Sequence, residues 1–446
     1  MKQLKVILVA ALLSASFAAR AQEQQKTSYD FSAWFVLNGF QDRGGFDSRE
    51  LPRYVVSENV APAAAPAGTT VKPEYNGYAV RQSRLRFGFT APTDNFLGGT
   101  TMKGLLEADF YGGAPVAVSA AGAASQTGTV DTVVPRLRHA YMSATWKDAA
   151  NLTLLVGQTW GVAIAQPSGF AASLAHLAVP RFGGAGFLYR RAPQIRLSAD
   201  LPAGPLSVYV AGAALTAGDL SSNQSNSPGG NQSTIPNLEG RVAAKYAQQG
   251  PVKAEVGFNL HYGQERWTTN PAAGSNAPFK AVTATSQMYG VDAKIDVAMV
   301  TLVGGLWQGQ NLDNWNSISG LAIAGAPASN VGVLFDTTNP ADPKAYEVKT
   351  QGAWAQLQVT PVSGLQVLAG LGFENPKDST LALPGATVAN NMILRNEQLS
   401  GGVVWSVTSK WRVSFEATRF NTTVKTAAGS DTLGGNQFEI GSLLAL

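Results

Sequence analysis

Apolar and polar residues alternate along this chain with a period of two, in runs of about ten residues. In "VRQSRLRFGFTAPTDN", which starts at Val80, Leu85, Phe87 and Phe89 are set against Arg84, Arg86 and Gly88. "TMKGLLEADFYG" sets Met102, Gly104, Leu106, Ala108 and Phe110 against Lys103, Glu107 and Asp109, with Leu105 the exception. "PRLRHAYMSATW" sets Leu137 and Tyr141 against Arg136 and Arg138, while His139 and Ser143 blur the apolar face. Near the end, "WRVSFEATRF" sets Trp411, Val413, Phe415 and Ala417 against Arg412, Ser414, Glu416 and Thr418. A period of two belongs to a strand with two unlike faces, and about ten residues is what a tilted strand needs to cross a bilayer.

The pattern predicts sixteen strands, near 29–40, 79–91, 101–112, 133–146, 151–160, 187–201, 205–215, 237–248, 251–264, 281–296, 298–310, 344–360, 364–373, 391–408, 411–421 and 435–446. Short links such as "KDAAN", "PAGP", "QQGP" and "TSK" alternate with long ones such as "TAGDLSSNQSNSPGGNQSTIPN" and "NPKDSTLALPGATVAN". Such sorting is expected of an all-β, transmembrane, antiparallel up-and-down barrel with short periplasmic turns and long outer loops, and sixteen strands leave an aqueous lumen. Trp146, Trp405 and Trp411, beside short turns, are expected at the membrane interface.

Composition sharpens this. Charged residues make up 14% of the chain, well below the usual quarter, and glycine reaches 47 residues. The chain opens with Lys2 and Lys5, an apolar run and Ala19-Arg20-Ala21, so residues 1–21 read as a cleaved signal peptide and 22–446 as the barrel. Losing Lys2, Lys5 and Arg20 reduces the formal charge from +4 to about +1, which leaves no global field for nucleic acid. With no cysteine and only His139, His176 and His261, neither a disulfide framework nor a metal cluster is expected, and no cofactor is implied. The expected destination is the outer membrane of a Gram-negative cell, with membrane lipid outside and solute inside.

The candidate chemistry is local. Between Arg81 and Asp200, eleven basic residues face six acids. Arg84 and Arg86 share the wet face of their strand, because on the lipid face each would cost about 2 to 4 kcal/mol near the midplane. Lys103, Arg136, Arg138 and Arg196 extend a ladder across neighbouring strands, with Glu107 and Asp109 beside it. Such a ladder favours small anions, carboxylates above all. If the two acids neutralise it, the pore is weakly selective. Arg81 falls on the other parity and is expected near the rim, reaching water. Residues 161–186, "GVAIAQPSGFAASLAHLAVPRFGGAG", hold no Asp or Glu and suit folding inward as a constriction loop. His139 and Ser143 are the best candidates for a lipid hydrolase, but four residues along one strand is about 13 Å, beyond hydrogen-bond reach. A barrel displaying its loops as an adhesin is a further alternative.

The succession "RQSRLRFGFTAPTD", "KGLLEADFYG", "LRHAYMSAT" and "LLVGQTW" resembles the DcaP-like porins of Gram-negative bacteria over about Val80 to Trp160. The chain departs from that pattern in "SATWKDAANL", where a Gly-rich turn is expected. The ending "EIGSLLAL" resembles the signal read by the barrel-assembly machinery, with Leu446 where an aromatic is usual. The resemblance implies a homotrimer of sixteen-stranded subunits that passes small anionic solutes, dicarboxylates among them, with Arg84, Arg86, Arg136 and Arg138 lining the channel.

Overall fold

The computed structural model describes residues 27–59, 70–92, 100–112, 133–163, 176–177, 180–217, 233–246, 251–269, 280–315, 317–318, 332–336 and 342–446. The signal-peptide reading falls on residues outside this set. The strands are β1 (Ser28–Arg43), β2 in two pieces (Glu74–Ala79 and Arg84–Pro92), β3 (Thr100–Asp109), β4 (Arg136–Trp146), β5 (Leu152–Trp160), β6 (Arg191–Ala203), β7 (Leu206–Leu215) and β8 (Asn237–Tyr246). They continue as β9 (Val252–Thr269), β10 (Lys280–Val297), β11 (Val300–Gln310), β12 (Lys349–Val362), β13 (Leu365–Pro376), β14 (Ile393–Ser406), β15 (Trp411–Thr426) and β16 (Gly429–Ala445).

Each strand pairs antiparallel with the next, and β1 pairs with β16 from Trp34↔Ala445 to Arg43↔Asn436. The result is a closed barrel of sixteen staves with no free edge. Among the described residues no helix is long and apolar enough to cross a membrane. The strands do the crossing, because a closed barrel satisfies every backbone hydrogen bond without water.

Burial follows the inverse of a soluble protein. On β15, Phe415 is 60% exposed while Ser414 and Thr418 are buried, and on β14 Leu399 is 61% exposed while Gln398 is buried. The exposed apolar face fits lipid; the polar face is buried by what lies inside the barrel. Trp405 and Trp411 are exposed on the outer face next to the turn that joins β14 to β15.

Several boundaries differ from the sequence expectation for physical reasons. Residues 80–83 break β2: Ser83 N donates to Val80 O, and Val36 N turns to Ser83 Oγ instead of a backbone carbonyl. β15 and β16 run on to the pair Thr426↔Gly429, so the last link at the long-loop end has only two residues. Lys344–Glu347 pairs with Val333–Asp336 in a separate hairpin, and the barrel strand begins at Lys349.

The interior at the long-loop end is packed rather than open. Trp160, Leu188, Met288, Trp307, Leu312 and Trp315 form one buried cluster, and Phe182, Phe187, Val303 and Trp354 another. Period-two alternation assigns apolar residues to lipid, yet these lie on inward positions or on connecting segments that enter the barrel.

Candidate functional site

The basic wall is built on β2, β3 and β4. The register sets Arg84 opposite Asp109 and Arg86 opposite Glu107. Arg136 grips Asp109 with two bonds, Nε to Oδ1 at 2.9 Å and Nη2 to Oδ2 at 2.6 Å. Arg138 spans both acids, with Nε 2.8 Å from Glu107 Oε1 and Nη1 2.8 Å from Asp109 Oδ2. Arg84 Nη1 lies 3.7 Å from Glu107 Oε1, and its buried Nε has no hydrogen-bond partner. Arg86 makes neither an ion pair nor a hydrogen bond among the described residues and is exposed inside the barrel. Two carboxylates therefore serve three arginines, while the fourth has no counter-charge.

A β-bulge on β4 changes what this wall presents. Glu107 pairs with His139 but Ala108 pairs with Leu137, so Arg138 is the inserted residue and the parity of β4 reverses beyond it. Sequence parity puts His139 and Ser143 on the outer face; instead Met142 is the exposed apolar residue there, and His139 is buried inward with Nδ1 2.9 Å from Thr159 Oγ1. A lipid hydrolase at that position loses its access to lipid.

Arg81 also departs from its expected place at the rim. It is 3% exposed, its Nη2 lies 2.7 Å from Glu50 Oε2, and its guanidinium stacks 4.3 Å from the Tyr111 ring centroid. This residue clamps the segment after β1 inside the barrel. There Asp47 accepts from Arg53 Nε at 2.7 Å, and Asn396 and Gln398 on β14 both donate to Arg53 O.

Within 161–186, the described residues contact the far wall. Arg181 pairs with Glu416 and bonds Thr418 on β15, and His176 Nε2 lies 3.1 Å from Glu439 Oε2 on β16. Phe182 to Gly186 lie flat on β12 and β13 because inward positions there are glycine: a Cβ at Gly372 would sit 2.2 Å from Ala185 O. Gly186 itself has φ +97° and no room for a side chain, since a Cβ would meet Ala353 O at 2.2 Å. Trp307 Nε1 donates to Gly186 O at 2.6 Å. Burial among these segments pushes the Tyr54 and Tyr189 hydroxyls up to about 12.

The start of the segment is tied down by Glu239, whose Oε2 accepts from the backbone N–H of Val162 and Ala163. His261 Nδ1 lies 3.7 Å from Glu239 Oε1 and its Nε2 3.0 Å from Ser286 Oγ. Ser, His and Glu are the residue types of a nucleophilic triad, but Ser286 Oγ donates to Asn311 O at 2.8 Å and His261 packs against Trp315, so no substrate reaches them.

Between the basic wall and β13–β16 lies a cavity of about 500 Å³. Arg84, Arg86, Arg138 and Glu107 line it on one side; Arg412, Leu368, Val404 and Leu443 line it on the other. Four arginines and one carboxylate give the lining an excess of three positive charges with the histidines neutral. Of the residues expected to line the pore, Arg136, Asp109, Lys103 and Arg196 are not among its described walls. Arg136 and Asp109 are spent on each other, Lys103 is exposed nearer the short-turn end, and Arg196 Nε donates to Gln194 Oε1 at 3.0 Å. Arg412 has no partner among the described residues; its inward parity was legible, but not its distance from the first wall along the chain.

Neither a family model nor a curated protein sequence matches the chain. Among solved structures it is similar to the outer-membrane channel DcaP of Acinetobacter baumannii, with a TM-score of 0.61 and 14% identity over 96% of this chain and 100% of that one. The fold is that of the outer-membrane porins. The anion-selective porin from Comamonas acidovorans aligns with a TM-score of 0.50 and 12% identity over 94% of this chain and 100% of that porin. OmpT of Vibrio cholerae, an outer-membrane-expressed protein, aligns with a TM-score of 0.50 and 11% identity over 96% and 100%. The porin barrel is thus shared while almost all of its side chains differ, so the lining of the cavity defines this protein's own chemistry.

Proposed function

We propose that this protein is an outer-membrane channel for passive diffusion of small hydrophilic solutes, with a preference for anions, carboxylates among them. The observation that supports it most is the cavity lining, with its excess of three positive charges and with Arg86 and Arg412 free of counter-ions among the described residues. A carboxylate entering it exchanges part of its hydration for planar guanidinium donors, whose forked geometry matches its two oxygens. Residues 161–186 serve as the constriction segment, and the chain is exported by a cleaved leader and works as a homotrimer, in line with its sequence resemblance to DcaP-like porins.

A weakly selective pore is the second reading, because Glu107 and Asp109 do neutralise part of the ladder. Swelling of liposomes containing the purified protein separates the two. Small carboxylate salts are expected to enter faster than neutral sugars of similar size. Equal rates would remove the anion preference, and no swelling with any solute would remove the channel.

A further inference from the structure

The cavity has two unlike walls. Facing the arginines, Leu368 on β13, Val404 on β14 and Leu443 on β16 form a buried apolar cluster with Val36, and Trp34, Leu177 and Ala445 pack against it. These are inward positions, where a water-filled barrel carries polar residues. The same strands return to that rule a few residues away, with Gln366 on β13, Gln398 on β14 and Glu439 on β16. The apolar patch is therefore a local feature at the level of the cavity.

Trp34 is where the walls meet. It is the register partner of Arg84 on one side and of Ala445 on the other, and the Arg84 guanidinium lies 5.1 Å from its ring centroid. Arg84 is 11% exposed, and its Nε is left without a hydrogen-bond partner beside this ring. A buried donor without a partner is costly unless something else accepts from it. A solute that offers an acceptor at one end and an apolar surface at the other would satisfy both walls at once.

We infer that the cavity selects amphipathic monoanions, carboxylates with an aromatic or branched aliphatic body, over equally charged but fully hydrophilic ones. The carboxylate meets Arg84 and Arg86 while the body lies against Leu368, Val404 and Leu443. Burying apolar surface on that wall adds to the affinity that charge alone gives, and a volume of about 500 Å³ suits a solute of one ring. The inference rests on the proposed anion-preferring channel and adds the solute's shape to it.

The test is block of single-channel chloride current by benzoate and by gluconate, two monocarboxylates of opposite polarity. Benzoate is expected to reach half-block at about one-tenth of the gluconate concentration. In Leu368→Asn with Val404→Asn that ratio falls to near unity. Val404→Thr, nearly isosteric, gives an intermediate ratio and covers the case in which the double variant does not assemble. Equal half-block concentrations in the parent protein, or a ratio unchanged in the variants, would overturn the inference. Loss of chloride preference in the parent with the benzoate ratio intact would instead count against the anion-channel reading alone.

Discussion

Two of the arginine clusters inside the barrel are built to different ends. On β8, Arg241 pairs with Asp292 on β10 through both terminal nitrogens, one bond measuring 2.9 Å, and with Glu255 on β9 at 2.8 Å, while Asn259 fills the remaining space. That cluster has one cation and two carboxylates and no exposed guanidinium surface, and the cavity beside Asn259 and Asp292 measures only about 30 Å³. The β2–β4 wall has four arginines against two carboxylates and opens onto about 500 Å³ of space. Arginine inside a barrel is therefore not by itself an anion site. What makes one is charge left over after the local acids are matched, next to room for a solute.

The comparison can be broken at several points. Arg241→Ala leaves the buried Asp292 and the half-buried Glu255 without their cation and should lower stability by about 3 to 5 kcal/mol, read as a drop in the denaturant midpoint of the folded barrel. The ion selectivity of whatever assembles should be unchanged. Gly372→Val places atoms where Ala185 O lies and should cost about 1 to 3 kcal/mol of docking for the inserted segment. The expected readout is a larger, noisier conductance.

On the basic wall, Arg84→Ala with Arg86→Ala should cost assembly little but lower anion preference about fivefold. Two charges roughly 8 Å from the solute path in a watery lumen are worth roughly 1 kcal/mol together. Arg136→Ala is the graded comparison on the same wall: it removes one charge, from a side chain that does not line the cavity, and leaves Asp109 paired with Arg138, so the reversal potential should shift by less than half as much as in the double variant. The smallest effect concerns pH. With the Tyr54 and Tyr189 hydroxyls pushed up to about 12 against an unfolded value near 10, their contribution is intact below pH about 10 and is lost as pH rises from there towards 12. Protease sensitivity of the inserted segments should follow that window; a rise already at neutral pH would contradict it.

The contrast also explains which features could be read from the chain. The sixteen staves were legible because period-two alternation is a local property, present within any one strand such as β15. The break in β2 and the bulge at Arg138 were not, because an inserted residue leaves no mark on composition while reversing every face beyond it. Arg84, Arg86, Arg138 and Glu107 were picked out by charge and parity, and the fold brings them to one cavity. Arg81 was misplaced because its partner Glu50 lies on an entering segment that sequence parity does not cover. The apolar half of the cavity escaped for a related reason: Leu368, Val404 and Leu443 come from three separate strands, and only barrel closure through β1 and β16 brings them opposite the arginines.

The central claim is that residual positive charge on the β2–β4 wall sets selectivity, and the reversal potential of the purified channel in a planar bilayer under a KCl gradient tests it most directly. The predicted potential has the sign that favours chloride, and it is reduced in the Arg84→Ala, Arg86→Ala protein by more than in Arg136→Ala. A potential at zero or favouring potassium in the parent protein, or one left unchanged by loss of both arginines, would contradict it.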